Sequence, residues 1–306
     1  MAEPESWSEE VLYVVGGLYG NPYALDEIEA MVARERQVGA SVRLLFNGDF
    51  NWFNAEAEWF ADINRRVLGH DAMLGNVEYE LAHPSDGAGC GCAYPDFVDA
   101  AVVERSNRIM TRLQAVAAGQ DEVTQRLSQL SRWRAAFFGG LKVLVLHGDP
   151  ESLAGWGLSH EVLSAAGSGQ LEDWFSRCDA DVILCTHTCL PVVWGGTVAG
   201  RPRLLLNNGA AGMGNLHQDS RGLVLRLGVR PGPEKPLTSR SLGQVTGSLQ
   251  PVAFDQEAWQ RLFDRHWPTG SDAERSYRTR IGSGTALRLS GVALDRTSGR
   301  CLPAPV

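Results

Sequence analysis

The sequence predicts an α/β fold, and three features carry that reading. Short apolar runs rich in β-branched residues recur along the chain. Each ends on a short polar loop of Gly, Asn, Asp or His, and a stretch with apolar residues at helical spacing follows most of them. In open α/β sheets the carboxyl ends of strands gather ligands, so these polar loops are expected to converge on one site.

The elements follow in order. Val11–Val15 is the first buried strand, closed by Gly16-Gly17. Asn21-Pro22 opens a helix, since Asn caps free N–H groups and Pro is tolerated at the first helical position. Leu25, Ile28, Met31 and Val32 give that helix its apolar face. Ser41–Phe46 is the next strand and runs into Asn47-Gly48-Asp49; Glu56–Val67 is a helix, and Ala72–Leu74 a short strand ending at Gly75-Asn76. Residues 96–137 read as a helical insert, split in two at Gly119. Leu141–Leu146 is a strand ending at His147-Gly148-Asp149, Gly169–Arg177 a helix, and Asp181–Cys185 a strand ending at Thr186-His187. Beyond residue 190, strand-like pieces at Val192–Trp194, Arg203–Leu206 and Leu223–Val229 suggest antiparallel pairing. Gly232–Gly247 reads as an exposed loop and Phe254–Trp267 as a helix. The expected organisation is an acidic tail over 1–10, then one domain over 11–306 whose C-terminal extension starts near 220.

Composition narrows the function classes. A net charge of −8 argues against binding nucleic-acid polymers or anionic membranes, which reward basic surface. No run of 18 apolar residues exists and the acidic N-terminus lacks a signal-peptide pattern, so a cytoplasmic protein is expected. The six cysteines do not have the spacing of a small disulfide scaffold. Cys90 and Cys92, in Gly89-Cys90-Gly91-Cys92, are expected to be packed thiols in a glycine-rich turn, with metal ligation or a redox couple as the other reading. Cys178, Cys185 and Cys301 read as core or incidental residues. The nine tryptophans mostly stand beside apolar residues, which is core usage.

The chemistry-bearing loops are Gly17-Leu18-Tyr19-Gly20-Asn21, Gly48-Asp49, Gly75-Asn76-Val77-Glu78, His147-Gly148 and Thr186-His187-Thr188-Cys189. Taken singly, Asp49 and Asn76 read equally as turn residues and His147 and His187 as core histidines. Together, in this order and each after a strand, they resemble the calcineurin-like metallophosphoesterases, with their D-x-H-G-N, G-D, G-N-H-[DE], H-G and G-H-[TS]-H motifs. The resemblance spans residues 11 to about 215. It implies a four-layer α-β-β-α sandwich of two mixed sheets, and two neighbouring metal ions that clamp a phosphate and activate water.

Carried over position by position, the ligand set of one ion is complete: Asp49, Asn76, His147 and His187. The other set is broken, with Gly17 for its Asp, Tyr19 for its first His and Cys189 for its last; Val77 stands where the family has its general-acid His. The expectation is one divalent transition metal ion (Zn, Mn or Fe) per chain, with Cys189 as an added soft ligand. Asp49 and Tyr19 are the expected catalytic residues, Tyr19 as a phenol donor to an oxyanion. Loss of the proton donor at Val77 costs about 10²–10⁴ in rate and bears least on activated leaving groups. The Asn208-Gly209-Ala210-Ala211-Gly212 loop is expected to close the structure near the site. The functional expectation is a metal-dependent phosphoesterase acting on a small phosphomono- or phosphodiester such as a nucleotide. The alternative is an inactive binding or scaffold protein with a protein partner; a thiol-dependent activity through Cys90, Cys92 and Cys189 is a third reading.

Overall fold

The structure is a computed structural model that describes residues 3–84, 89–96, 98–165 and 169–295. The elements, in chain order, are β1 (Glu5–Ser6), β2 (Val11–Val15), α1 (Pro22–Gln37), β3 (Val42–Phe46), α2 (Ala57–Val67), β4 (Asp71–Ala72) and α3 (Asn76–Ala82). Helices α4 (Ala100–Ala117) and α5 (Asp121–Ser128) lead to β5 (Trp133–Phe138) and β6 (Leu141–Leu146). There follow α6 (His160–Ala165), α7 (Gly169–Cys178), β7 (Val182–Cys185), β8 (Pro191–Val198), β9 (Arg201–Asn208) and β10 (Gly222–Gly228). The described chain closes with β11 (Thr238–Leu242), β12 (Val245–Val252), α8 (Gln256–His266), α9 (Asp272–Ser283) and β13 (Ala293–Asp295).

Two mixed sheets form, in the orders β1-β5-β6-β7-β9-β8-β13 and β11-β12-β10-β2-β3-β4. Period-two alternation explains how they stack. In β2, Leu12 and Val14 join Leu225 and Leu227 of β10, Val143 and Val145 of β6, and Val182 and Leu184 of β7 in a core between the sheets. Val11, Tyr13 and Val15 point the other way, onto Leu25, Ile28 and Met31 of α1. On the far side of the other sheet, Leu144, Ile183 and Leu205 pack on Trp174 and Phe175 of α7. Three apolar layers separate four structural layers, the α-β-β-α sandwich expected.

Local signals hold where they were strong. Asn21 caps α1 by accepting from the Ala24 N–H at 3.0 Å, and the α4–α5 break falls at 118–120, around Gly119. Other expectations are corrected. Trp133–Phe138 is a strand antiparallel to β6 rather than the end of a helix. The N-terminal stretch is not a free tail: Glu5–Ser6 pairs with β5 and Trp7 is buried. Residues 232–247 are not all loop, because β11 and the start of β12 pair there. Cys301 lies outside the described residues.

Candidate metal centre

Asp49 follows β3, Asn76 opens α3 just after β4, His147 follows β6 and His187 follows β7. Two parallel pairings, β3 with β4 and β6 with β7, bring those ends together. His147 Nε2 lies 3.1 Å from Asn76 Oδ1, 3.2 Å from His187 Nδ1 and 3.4 Å from Asp49 Oδ1. Donor atoms of Asp49, His147 and His187 lie within 4.8 Å of one another, and all four residues are buried.

Backbone groups set the orientation of each side chain. His147 Nδ1 faces the Asn47 carbonyl at 2.8 Å, and His187 Nε2 faces the Cys92 carbonyl at 3.2 Å. A carbonyl only accepts, so these nitrogens carry the protons and leave Nε2 of His147 and Nδ1 of His187 as lone-pair donors toward the cluster. Asn76 Nδ2 donates to the Cys90 carbonyl at 2.9 Å, which turns Oδ1 inward. Asp49 Oδ1 accepts from the Val77 N–H at 3.2 Å. The result is two nitrogen lone pairs, an amide oxygen and a carboxylate facing one point, an arrangement that repels itself unless a cation sits among them. A borderline N/O set of this kind fits Zn, Mn or Fe.

The electrostatics agree. Burial opposes ionisation of Asp49, but His147, His187 and the Val77 amide outweigh it and hold the carboxyl below its ordinary range. Burial alone would lower His147, yet the Asp49 carboxylate carries it above the usual imidazole value. Burial and the charge of His147 push His187 down to about 4. A positive charge is favoured at this point, and its most basic nitrogen already competes for a proton there.

Glu78, one residue past Val77, is the support that motif reading passed over, although an acidic residue is part of the G-N-H-[DE] pattern. Its Oε2 accepts from the N–H groups of Asp49 (2.7 Å) and Gly75 (3.1 Å), and Oε1 from that of Asn51 (3.0 Å). It fixes Asp49 in a left-handed backbone conformation, φ 54°, which costs energy unless the surroundings enforce it. Gly75 has no side chain where the Asp49 carboxylate passes; a Cβ there would overlap it.

The positions expected to hold a first ion are brought together but arranged differently. Tyr19 Oη lies 2.7 Å from Cys189 Sγ. The Tyr19 ring covers Gly17, so that a Cβ on Gly17 would stand 3.0 Å from it. Cys189 is not among the grouped donors of the metal cluster; its thiol is engaged by Tyr19, and its carbonyl accepts from Arg280 Nη2 at 2.6 Å. Cys90 and Cys92 correct the thiol expectation, since they are joined as a disulfide. They approach the cluster through their carbonyls, on Asn76 and His187. The Asn208–Gly212 loop closes beside the site as expected, with the Asn208 amide donating to Gly16 O and the Gly212 N–H to Gly17 O, both at 2.9 Å.

A cavity of about 420 Å³ opens over the cluster, with Asp49, His187, Tyr19 and Val77 in its floor. Trp156 and Tyr94 stand at its wall with ring centroids 5.9 Å apart. Trp156 also donates from Nε1 to the Cys92 carbonyl at 3.0 Å. Among the described residues no helix is long and apolar enough to cross a membrane.

No protein-family model and no curated protein matches the sequence. Solved structures do match in shape. A hypothetical protein from Pyrococcus horikoshii OT3 superposes with a TM-score of 0.62 at 11% identity, over 90% of this chain and 99% of its own. A metallophosphoesterase from Sphaerobacter thermophilus superposes with a TM-score of 0.55 at 15% identity, over 90% of this chain and all of its own (100%). At such identities the likeness is one of fold, and the fold of this chain is that of the calcineurin-like metallophosphoesterases.

Proposed function

We propose that this chain is a metal-dependent hydrolase of small phosphoesters that works with one ion per chain. The observation that supports it most is the convergence of Asp49, Asn76, His147 and His187, lone pairs inward, in and beneath the floor of a cavity large enough for a small ligand. A protein that only kept the fold has no chemical need for four oriented donors, two of which, Asp49 and His187, line a cavity. A bound divalent ion would supply Lewis acidity, polarising a phosphoryl oxygen and lowering the pKa of an attacking water.

The chain's own residues set the rest of the chemistry. Asn47 and Cys92 hold the two imidazoles in the tautomers that ligate, and Glu78 and Val77 hold the Asp49 carboxylate in place. Burial pushes the Tyr19 phenol well above its ordinary pKa, so it stays protonated, and a phosphoryl oxygen would compete with Cys189 Sγ for its O–H. Val77 offers no proton to a departing alkoxide, which favours substrates whose leaving group departs as an anion.

The test is metal content together with hydrolysis of bis-p-nitrophenyl phosphate, on the wild type and on Asp49→Ala. The reading expects about one ion per wild-type chain and turnover lost with Asp49. Bound metal with no turnover on a panel of phosphoesters would refute it, as would turnover that survives Asp49→Ala.

A further inference from the structure

The cavity wall carries a second pattern that the four ligands do not explain. Arg105 of α4 and Arg275 and Arg280 of α9 line it, against two carboxylates, Asp49 and Glu161. This is a local cationic excess in a chain of net charge −8. Two of the three guanidiniums are held in place. Arg280 donates from Nε to Gly214 O at 2.9 Å and from Nη2 to Cys189 O at 2.6 Å. Arg105 donates from Nε to Ser276 Oγ at 2.8 Å. Arg275 is exposed beside it, and its charge, like that of Arg105, also acts on the Asp272 carboxylate. Three arginines on one cavity wall, more cations than the two lining carboxylates balance, match an anion.

The same cavity is lined by aromatic rings on the side of the metal cluster. Trp156 and Tyr94 are half-buried, and Trp156 stands edge-on to His187 with ring centroids 5.5 Å apart. Tyr94 is anchored through its hydroxyl to Ser106 Oγ at 3.0 Å, and Tyr277 of α9 continues the wall. Exposed faces of fixed aromatic rings are platforms for a planar group, worth about 1–3 kcal/mol per stacked base in other systems.

We propose that the cavity binds a phosphoester carrying a planar aromatic group, of the class of mononucleotides. Arg105, Arg275 and Arg280 take the phosphate charge, and Tyr94 and Trp156 take the ring. The guanidiniums then act on the side where the ligands of a first ion are missing, and Arg280 already reaches the Cys189 backbone there. This rests on the phosphoesterase reading for the nature of the anion, and it adds which residues select the substrate.

The test is equilibrium binding, so that it stands apart from turnover. The probes are the methylenephosphonate analogues of adenosine monophosphate and of ribose 5-phosphate, which carry the anion and resist hydrolysis, measured by titration calorimetry on the full chain. The adenosine analogue is expected to bind more tightly than the ribose analogue. Arg275→Gln, an exposed change that leaves the fold alone, is expected to weaken both by roughly tenfold, as for loss of one charge-assisted contact. Tyr94→Leu is expected to weaken only the adenosine analogue, again by roughly tenfold. Equal affinity for the two probes, binding unchanged by Arg275→Gln, or no binding of either overturns the proposal. Binding with this pattern but no hydrolysis of any phosphoester would sustain the recognition site and remove the hydrolase reading. Hydrolysis without the pattern would do the reverse.

Discussion

The phenol oxygen of Tyr19 and the sulfur of Cys189 lie 2.7 Å apart, and both residues hold left-handed backbone conformations, φ 54° and φ 60°. These are two of the three positions where a first-ion ligand is absent. The third, Gly17, lies beneath the Tyr19 ring. The three replacements therefore form one packed arrangement: the phenol ring takes the space that an acidic side chain at position 17 would need, and its hydroxyl meets the thiol. Left-handed conformations in non-glycine residues cost about 1–3 kcal/mol each and persist only where neighbours enforce them.

The first prediction follows from that arrangement. Gly17→Asp alone should destabilise by about 1–3 kcal/mol, because the new side chain meets the Tyr19 ring and the backbone is left-handed there. Adding Tyr19→His opens the space, so the double variant should be more stable than the sum of the single changes, a coupling of about 0.5–3 kcal/mol. Urea denaturation of the four proteins measures it. With Cys189→His as a third change, metal analysis should rise from about one ion per chain to two; a ratio that stays at one would mean that these positions no longer define a site.

The proposed ligand set predicts a metal-linked stability. Stripping metal with a chelator should lower the melting temperature, and re-adding Zn or Mn should restore it, by about 2.7 kcal/mol at a free metal concentration of 100 Kd. His187→Ala and Asp49→Ala should abolish the metal-dependent increment. Scanning calorimetry with and without chelator decides the matter, and an increment unchanged in both variants would place the ion elsewhere.

Much of this was legible in the sequence, and what was not has physical causes. Strand β2 and the Val143–Leu146 part of β6 stand out because they are buried on both faces and therefore read as apolar runs. The stretch 232–247, which holds β11 and the start of β12, reads as loop because β11 alternates half-buried and exposed residues, Thr-Ser-Arg-Ser-Leu, at the sheet edge. Trp133–Phe138 was read as helix because a short apolar run has no decisive period. Asp49, Asn76, His147 and His187 stand out together because each follows a strand in a known order, and the structure brings them together. Arg275 and Arg280 do not, because they lie beyond residue 215, outside the reach of the motifs, on a helix of which only Ala273 and Ile281 are buried. Only the docking of α9 against α4 and the Cys189 loop turns them toward the cavity.

Positioning by backbone carbonyls makes the Cys90–Cys92 turn a support for the candidate metal centre. The carbonyls of Cys90 and Cys92 orient Asn76 and His187, and Trp156 holds the second of them. Replacing both cysteines with alanine keeps those carbonyls but frees the turn that presents them, and should weaken metal affinity by up to about 10–100-fold, the range seen when an outer partner of a ligand is disturbed, without abolishing binding. Cobalt-substituted wild type should show no thiolate-to-metal charge-transfer band, because the cluster offers only nitrogen and oxygen donors. A thiolate band would return the cysteines to the ligand set.

Away from the site, Glu35 of α1 is fully buried against Arg226 of β10, with Arg226 Nε donating to Glu35 Oε1 at 2.5 Å and the Tyr13 hydroxyl donating to the same oxygen at 3.2 Å. This pair ties α1 to the sheet beneath it. Glu35→Gln leaves a buried guanidinium without its counter-charge and should cost about 3–5 kcal/mol. The paired change Glu35→Gln with Arg226→Met should recover much of that loss, since it removes the stranded charge. Denaturation midpoints test it, and a double variant no better than Glu35→Gln would show that the pair's partners, rather than its charge balance, carry the stability.

Val77 sets the last prediction. Its N–H donates to the Asp49 carboxylate while its side chain lines the cavity, so a proton donor placed there would stand beside the reacting phosphoester. The wild type should hydrolyse nitrophenyl phosphoesters far faster than alkyl ones, because a nitrophenolate leaves unprotonated and an alkoxide does not. Val77→His should raise the rate on alkyl phosphodiesters by up to about 10²–10⁴ while leaving nitrophenyl esters nearly unchanged. The quantity to measure is the ratio of kcat/KM values for the two substrate types before and after the change, at matched metal content. A narrowing of that ratio assigns the missing step to this position. If the ratio stays fixed while the protein remains folded and metal-loaded, proton delivery comes from another group.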